Sequence, residues 1–282
     1  MPELPEVETI SRQLDRVLKN KRIAKVEVLR ERSFSGDPSR LKGWEIEKVT
    51  RKSKVIEIHF RKKEELVIIH LKMTGQLIYV FEDKRVAGGH PTVDWIKDLP
   101  SNHTRVIWDF SDGSKLFFND MRVFGWMKLM STEKYEREIR AKAPDVTDKE
   151  FTLNYFGHLL SLSKKAIKLV LLDQEKIGGI GNIYANDALF LSGVMPDRKA
   201  DSLTKPEITK LYKAVKEVIN LGIKYGGASA SNYVNVSGMG GTYQDHFLVY
   251  KREGEKCKKC GNKIFKTRIG GRGTFYCLNC QK

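Results

Sequence analysis

Directly after the initiator methionine stands Pro2, followed by Glu3 and, three residues further on, Glu6. Methionine before a small residue such as proline is commonly trimmed, which would leave a secondary amine at the head of the chain. An α-amino group titrates near ~8, far below lysine at ~10.4, so much more of it is neutral and nucleophilic near neutral pH. A secondary amine attacking a sugar aldehyde carbon gives an iminium, an electron sink for a later elimination. Glu3 and Glu6 lie within reach as acid, base or electrostatic partner. The plainer alternative is that Pro2 and Pro5 only stiffen the entry to a helix, and composition alone favours it.

All four cysteines fall within the last 26 residues, as Cys257-x2-Cys260 and Cys277-x2-Cys280, with sixteen residues between the pairs. Each C-x2-C turn can present two thiolates to one metal, and tetrahedral Zn2+ takes four. The expectation is one structural Zn2+ held by Cys257, Cys260, Cys277 and Cys280, with no open coordination position for chemistry. A pair of disulfides is the alternative. It is disfavoured because the acidic, proline-bearing N-terminus is unlike a secretory signal and reduced compartments keep thiols free. The stretch between the pairs, Asn262–Phe265 to Thr274–Tyr276, reads as a hairpin turned by Gly270-Gly271-Arg272-Gly273.

Two further groups carry possible chemistry. Lys164, Lys165 and Lys168 precede the glycine-rich run Ile177-Gly178-Gly179-Ile180-Gly181-Asn182. Such a turn opening a helix offers backbone N–H groups to an anion, with Asn182 as an added donor. A tight helix–helix turn needing glycine dihedrals explains the same residues equally well. No strand precedes the run, so dinucleotide binding is disfavoured. The second group is His70-Leu71-Lys72-Met73-Thr74-Gly75 and Asp120-Met121-Arg122-Val123-Phe124-Gly125, each at the end of a predicted strand. Met, Phe and Arg at loop tips can wedge into a base stack opened by an extruded nucleotide. A lone Met or Phe is more often core.

The elements that must position these residues follow from periodicity. Pro5 suits the first turn of a helix whose apolar face is Val7, Ile10, Leu14 and Leu18. Alternation then predicts strands at Ile23–Leu29, Val55–Phe60, Leu66–Leu71, Leu77–Phe81, Val106–Phe110 and Leu116–Phe118, with a hairpin turn at Asp112-Gly113. This gives a β-rich domain of two packed sheets. The charged run Glu133–Glu138 reads as an exposed connector or a solvated helix face. Helical spacing returns at Ala166–Leu172, Ile183–Leu191 and Ile208–Ile223, the last stopping at Gly226-Gly227. Ala228–Gln244 has no apolar period and reads as a long mobile loop.

Fifty-one Lys and Arg against 35 Asp and Glu leave a formal charge of +16 over 282 residues. That balance makes a polyanionic partner the expectation without naming it. Half of the excess lies in Lys251–Lys282, where ten cations face two carboxylates. No apolar run approaches the ~18 residues of a membrane span. The expectation from these features is a soluble, intracellular protein with no membrane partner.

In order along the chain, these segments resemble the bacterial formamidopyrimidine-DNA glycosylase family, bifunctional enzymes that excise oxidised purines. Met1-Pro2-Glu3-Leu4-Pro5-Glu6-Val7-Glu8-Thr9 is similar to the family's N-terminal signature. His70-Leu71-x-Met73-x-Gly75, Asp120-x-Arg122-x-Phe124-Gly125, Gly179-Ile180-Gly181-Asn182-Ile183-Tyr184 and the finger ending Cys280-Gln281-Lys282 also match. Only the opening is specific by itself, but five motifs in register span essentially the whole chain.

The resemblance implies an α+β multidomain fold. Residues 1–130 would form an N-terminal catalytic β-sandwich with the terminal helix. Residues 131–250 would form the linker and helix–two-turn–helix domain, and 251–282 the zinc β-hairpin finger. Double-stranded DNA containing oxidised bases would lie in the cleft between the two halves. Pro2, freed of Met1, would attack C1′ of the damaged nucleotide, and Glu3 would protonate the sugar ring oxygen or assist its opening. Lys54 would contact phosphate and assist β-elimination. Arg272 would grip phosphate, linked to δ-elimination. Met73, Arg122 and Phe124 would fill the gap left by the flipped base, with Arg122 facing the orphaned cytosine. His70, His103 and Asn182 would bind backbone phosphates, and the loop around Ser231–Tyr243 would close over the everted base. Asp187 stands where many relatives carry glutamate. Ser163 falls where some carry a basic DNA contact, with Lys164 and Lys168 nearby to supply one. The rival readings are the related branch preferring oxidised pyrimidines, against which Leu4 and the Met73/Arg122/Phe124 set argue, and a non-catalytic, zinc-stabilised binder of damaged DNA.

Overall fold

The computed structural model describes residues 1–282 apart from 91, 96, 141–142 and 229–240. The chain forms two compact units. The first is Met1–Arg140 with the described residues of Gly226–Thr242, and the second is Ala141–Tyr225 with Tyr243–Lys282.

The first unit begins with helix α1, Leu4–Leu18, with Pro5 in its first turn and Arg16 in its last. Val7, Ile10, Leu14 and Leu18 are all buried, as their spacing requires. Burying each contributes about 1.5–3 kcal/mol before entropy is counted. Ten strands follow: β1 Ile23–Val28, β2 Phe34–Ser35, β3 Ile46–Lys52, β4 Val55–Phe60, β5 Glu65–His70, β6 Gly75–Phe81, β7 Lys84–Gly89, β8 Thr104–Phe110, β9 Lys115–Asp120 and β10 Trp126–Ser131. They make two five-stranded sheets, β1-β8-β9-β6-β7 and β2-β10-β5-β4-β3. All pairings are antiparallel except β2 with β10.

One core joins Ile23, Leu77, Trp108 and Phe118 of one sheet to Ile56, Ile58, Val67 and Ile69 of the other, with the α1 face packed among them. β8 alternates strictly between buried and half-buried positions, the signature of a strand covered on one face. β4 and β5 are buried nearly throughout because their far face is also covered. There Val55, Leu66 and Ile68 pack around Tyr135. Tyr135 belongs to the short helix α2, Thr132–Tyr135, which runs into a π-helical turn over Glu136–Arg140. The charged connector is therefore a solvated helix with one buried anchor, whose hydroxyl donates to the buried Glu57 carboxylate.

The second unit holds α3 Leu153–Ser161, α4 Ile167–Leu172, α5 Asn182–Ser192 and α6 Lys205–Lys224. α6 opens on a capping box between Thr204 and Glu207. α5 is buried on nearly every side from Tyr184 to Phe190. The hairpin β11 Phe265–Ile269 and β12 Arg272–Tyr276 packs beside it. Gly270 and Gly271, at φ +56° and +71°, make the whole turn. Two successive left-handed residues suit the twist of a two-residue hairpin, and glycine adopts them without a Cβ penalty. A Cβ on Gly270 would also collide with Leu169 of α4.

Periodicity missed four sizeable elements. β3 carries four charged residues in seven and a register shift at Ile46/Lys48, which erase its alternation. β7 is an edge strand ending in two glycines. β10 has Trp126 and the methionines Met127 and Met130 in place of a β-branched pattern. α3 buries only Phe156 and Leu160, too sparse a face to stand out.

Candidate active site and zinc finger

Eight of the residues singled out by sequence lie in the first unit, and the turns bring them to one end of its sandwich. Glu3 is the N-cap of α1, and it and Glu6 satisfy each other's backbone N–H in a capping box. The Glu3 N–H donates to Glu6 Oε2 at 2.7 Å, and the Ala228 N–H donates to Glu6 Oε1 at 2.7 Å. Glu6 is thus committed to backbone donors at both oxygens, and Glu3, which accepts the Glu6 N–H, is buried beside the half-buried Pro2. Two residues further on, Glu8 binds Arg51 Nε at 2.6 Å and ties the start of α1 to the end of β3. Lys54 follows in the two-residue β3–β4 turn, its neighbour Ser53 at φ +54°, and is itself buried. Pro2, Glu3 and Lys54 therefore share one edge.

His70 ends β5 at the same edge. Its Nδ1 accepts the Lys72 backbone N–H at 2.9 Å, so the ring proton of the neutral imidazole must sit on Nε2. Burial, with help from the charges of Lys72 and Lys54, lowers its pKa to about 3. A neutral ring with Nε2–H outward can still donate to a phosphate oxygen. His103 is built the other way: its Nδ1 lies 2.9 Å from Asp94 Oδ2, which can only accept, so Nδ1 carries the proton. Its Nε2 becomes a donor only when the ring is protonated. The His103 carbonyl accepts the Asp120 N–H at 2.8 Å and so stands beside the next turn.

That turn, β9–β10, and the β5–β6 turn present Arg122, Phe124 and Met73 together. Arg122 Nη1 donates to Met73 Sδ at 3.5 Å, and its guanidinium carbon stands 4.8 Å from the Phe124 ring centroid. Met73 and Phe124 are each 46 % exposed, large apolar side chains on either side of one guanidinium. Asp120 is the residue that sequence reasoning left without a role. It is fully buried and accepts from the Thr74 hydroxyl and the Arg122 N–H (3.1 Å) on Oδ1, and from the Gly125 N–H (2.6 Å) on Oδ2. One carboxylate thus sets the shape of both turns. Its position at the head of the Asp120-x-Arg122 motif was the only sequence signal for this.

In the second unit the four cysteines converge. Their Sγ atoms all lie within 4.8 Å of one another, with Cys257–Cys280 at 3.8 Å and Cys260–Cys277 at 3.5 Å. A tetrahedral zinc at about 2.3 Å from each sulfur needs edges of about 3.8 Å. The donor set fits one structural Zn2+ with four thiolates, and none is in a disulfide. Phe190, Val249, Ile264 and Phe275 pack around Cys257 and Cys277. When bound, the metal supplies shape and no open position for chemistry.

Arg272 is the first residue after the hairpin turn and is exposed, whereas Lys164 is exposed just before α4. Lys168 departs from expectation as a DNA contact. It is fully buried, and its ammonium donates to Gly273 O and Thr274 Oγ1, each at 2.8 Å. Burying an ammonium is tolerable only with such acceptors, so Lys168 holds the hairpin from inside. Asn182 also donates to Gly273 O, at 3.1 Å. Asp187 takes backbone N–H bonds from Leu248, Val249 and Tyr250 at 3.0–3.2 Å and the Tyr243 hydroxyl at 3.2 Å. Burial raises its pKa against those four donors. It anchors the chain entering the finger. Residues 231–240 of the expected base-covering loop lie outside the described residues.

A β-sandwich entered by the N-terminal helix with an exposed cluster of Met73, Arg122 and Phe124, plus a helical unit with a four-thiolate finger, define an α+β protein with a zinc β-hairpin. Residues 1–127 match the formamidopyrimidine-DNA glycosylase N-terminal domain, 142–234 that family's H2TH domain, and 254–282 the zinc finger found in FPG and IleRS. The chain belongs to the formamidopyrimidine-DNA glycosylase family. The formamidopyrimidine-DNA glycosylase of Carboxydothermus hydrogenoformans is 38 % identical over 287 residues, covering all of both chains. That of Pelotomaculum thermopropionicum is 37 % identical over 289 residues, covering all of this chain and 99 % of its own. Among solved structures, a Lactococcus lactis FPG variant bound to Fapy-dG-containing DNA aligns over the whole of both chains at 30 % identity and TM-score 0.88. The same organism's FPG with abasic-site DNA aligns over both whole chains at 29 % and 0.87. Among the described residues, no helix is long and apolar enough to cross a membrane.

Proposed function

We propose that this chain is a base-excision-repair DNA glycosylase with AP-lyase activity, acting on 8-oxoguanine opposite cytosine and on ring-opened purines in double-stranded DNA. The observation that carries the reading is the sharing of one sandwich edge by Pro2 and Glu3 with the exposed Met73–Arg122–Phe124 wedge. A nucleophile is useful there only if a nucleotide is turned out of the duplex beside it, and the wedge would occupy the space that it leaves. Flipping costs a few kcal/mol, less at a damaged pair.

After Met1 is removed, the Pro2 lone pair bonds C1′ and the bond from C1′ to the base breaks, its electrons leaving with the base, which takes up a proton. Glu3 gives a proton to the ring oxygen as the sugar opens, leaving an iminium between Pro2 and C1′. Loss of a C2′ proton then expels the 3′ phosphate, and a second elimination expels the 5′ phosphate. Water releases the sugar remnant and restores the amine. Lys54 serves the first elimination and Arg272 the second, both through phosphate. His70, His103, Asn182 and Lys164 position the backbone; Lys168 acts through the hairpin. We assign catalysis to residues 1–130, the helical support and lesion loop to 131–250, and phosphate grip to 251–282. The protein works as a monomer.

Borohydride reduction with an 8-oxoguanine duplex, followed by peptide mass mapping, tests this. A reduced adduct on Pro2 is expected. No adduct from verified, Met-trimmed protein would leave a non-catalytic binder of damaged DNA. Parallel assays on 8-oxoguanine and thymine-glycol duplexes test the substrate, and a clear thymine-glycol preference would overturn the purine assignment.

A further inference from the structure

At the opposite end of the first unit from Pro2 lies a cavity of about 430 Å³ lined by Arg22, Lys42, Gly43, Trp44, Glu45, Arg61, Lys62 and Lys63. α1 separates the two places: its fifteen residues rise about 22 Å, with Pro2 before its start and Arg22 just past its end. Lys62 and Lys63 belong to the β4–β5 turn, at the far end of β5 from His70. Neither end of the reaction proposed above uses this cavity.

Its charge is one-sided and partly organised. Five cations face one carboxylate, a net of +4. Glu45 holds both arginines: Arg61 Nε lies 2.9 Å from Oε1 and Arg22 Nη2 3.3 Å from Oε2. Arg22 Nη1 also donates to Gly43 O at 3.2 Å, and Arg61 Nη2 to Asn20 Oδ1 at 2.9 Å. Glu45 thus draws both guanidinium groups to one side of the groove, with N–H groups remaining. Lys42, Lys62 and Lys63 form no ion pair with a described residue. The half-buried Trp44 lies among them, its ring edge-on to Phe60 at 5.2 Å and 4.8 Å from Lys63 Nζ. Three ammonium groups without an ion-pair partner among the described residues crowd two guanidiniums, an anion relieves that repulsion, and phosphate oxygens match the arginine fork. The groove is open to solvent, so a charged phosphate could enter it without shedding all of its water.

We propose that this cavity binds the phosphate groups of a nucleotide, free or within a nucleic-acid strand, at a site separate from the N-terminal edge. The test follows the indole N–H of Trp44 in 15N-labelled full-length protein, assigned with Trp44→Phe, during titration with dADP and with an undamaged ten-nucleotide single strand. Saturable movement of that signal is expected. In a Lys42→Gln/Lys62→Asn/Lys63→Gln variant whose remaining spectrum is unchanged, binding there should weaken at least about tenfold. Should that variant fail to fold, Lys63→Gln alone is titrated and should weaken binding in the same direction. Movement with dADP identifies a free nucleotide as sufficient, and movement with the oligonucleotide alone identifies a strand. A Trp44 signal that neither probe moves, or equal affinity in the variant, overturns the proposal.

Discussion

The ammonium of Lys168 donates to the carbonyl of Gly273 at 2.8 Å, across 105 residues of chain, and fixes the strand whose first residue is Arg272. Thr274 Oγ1 takes a second bond from the same ammonium and donates in turn to Arg272 O at 3.0 Å. The arginine assigned to phosphate is therefore aimed by a lysine that never reaches solvent.

Lys168→Met should cost about 1–3 kcal/mol, because Thr274 Oγ1 loses its buried donor and Gly273 O keeps only Asn182. Thermal unfolding measures the loss. Hairpin amides should exchange faster, whereas a substitution at exposed Lys164 should leave them protected. Equal protection in both variants would remove the role given to Lys168.

Asp120→Asn replaces one acceptor oxygen by an amide N–H donor facing donors already in place. One of the bonds from Arg122 N and Gly125 N must fail. We expect about 1–3 kcal/mol of destabilisation, with lesion-duplex affinity falling further than affinity for undamaged duplex. An unchanged ratio of the two affinities would show that the wedge does not depend on this carboxylate.

His70 sets an acid limb. Its folded pKa, about 3, lies below the ordinary 6.5, so between those values the unfolded chain binds the proton that the folded one refuses. Its contribution is complete above about pH 6.5 and is lost as pH falls toward 3. Denaturant midpoints measured from pH 7.5 to 4 should decline less in His70→Gln than in the parent chain. In spectra of the folded protein, the His70 ring should show no titration between pH 5 and 8; a midpoint near 6.5 would contradict the buried, Nε2-protonated ring.

Chelation of the metal should act on one unit. Removing zinc leaves four thiols within 4.8 Å around a small core, and the hairpin should lose order while the sandwich keeps its amide protection. Cys257→Ser should reproduce the effect. Loss of protection throughout the sandwich would show a wider dependence on the metal.

Retaining Met1, or adding an N-terminal tag, converts the Pro2 amine into an amide with no nucleophilic lone pair. Turnover should vanish while duplex binding stays within about threefold, since phosphate contacts dominate affinity. An active tagged enzyme would remove Pro2 from the mechanism.

Local patterns were legible where one short segment carries its own physics. The face of α1, the Asp112-Gly113 turn and the glycine pair at the head of the finger hairpin all follow from spacing and backbone freedom. β3, β7, β10 and α3 did not, because their burial depends on neighbours that no local window contains. The site divides in the same way.

By itself, the sequence determined the chemical repertoire: a proline directly after Met1 with Glu3 beside it, four cysteines spaced for one metal, and a charge of +16. Those properties belong to residue types and short separations. Only the tertiary structure decided that Arg122 meets Met73 beside Phe124, and that Asp120 serves two turns. It also decided that Lys168, exposed by every compositional expectation, points inward to the finger. The physical reason is that a side chain's destination depends on which acceptors and apolar surfaces the fold brings within a few ångströms, and for Asp120, Arg122 and Lys168 these include residues 46 to 106 positions away.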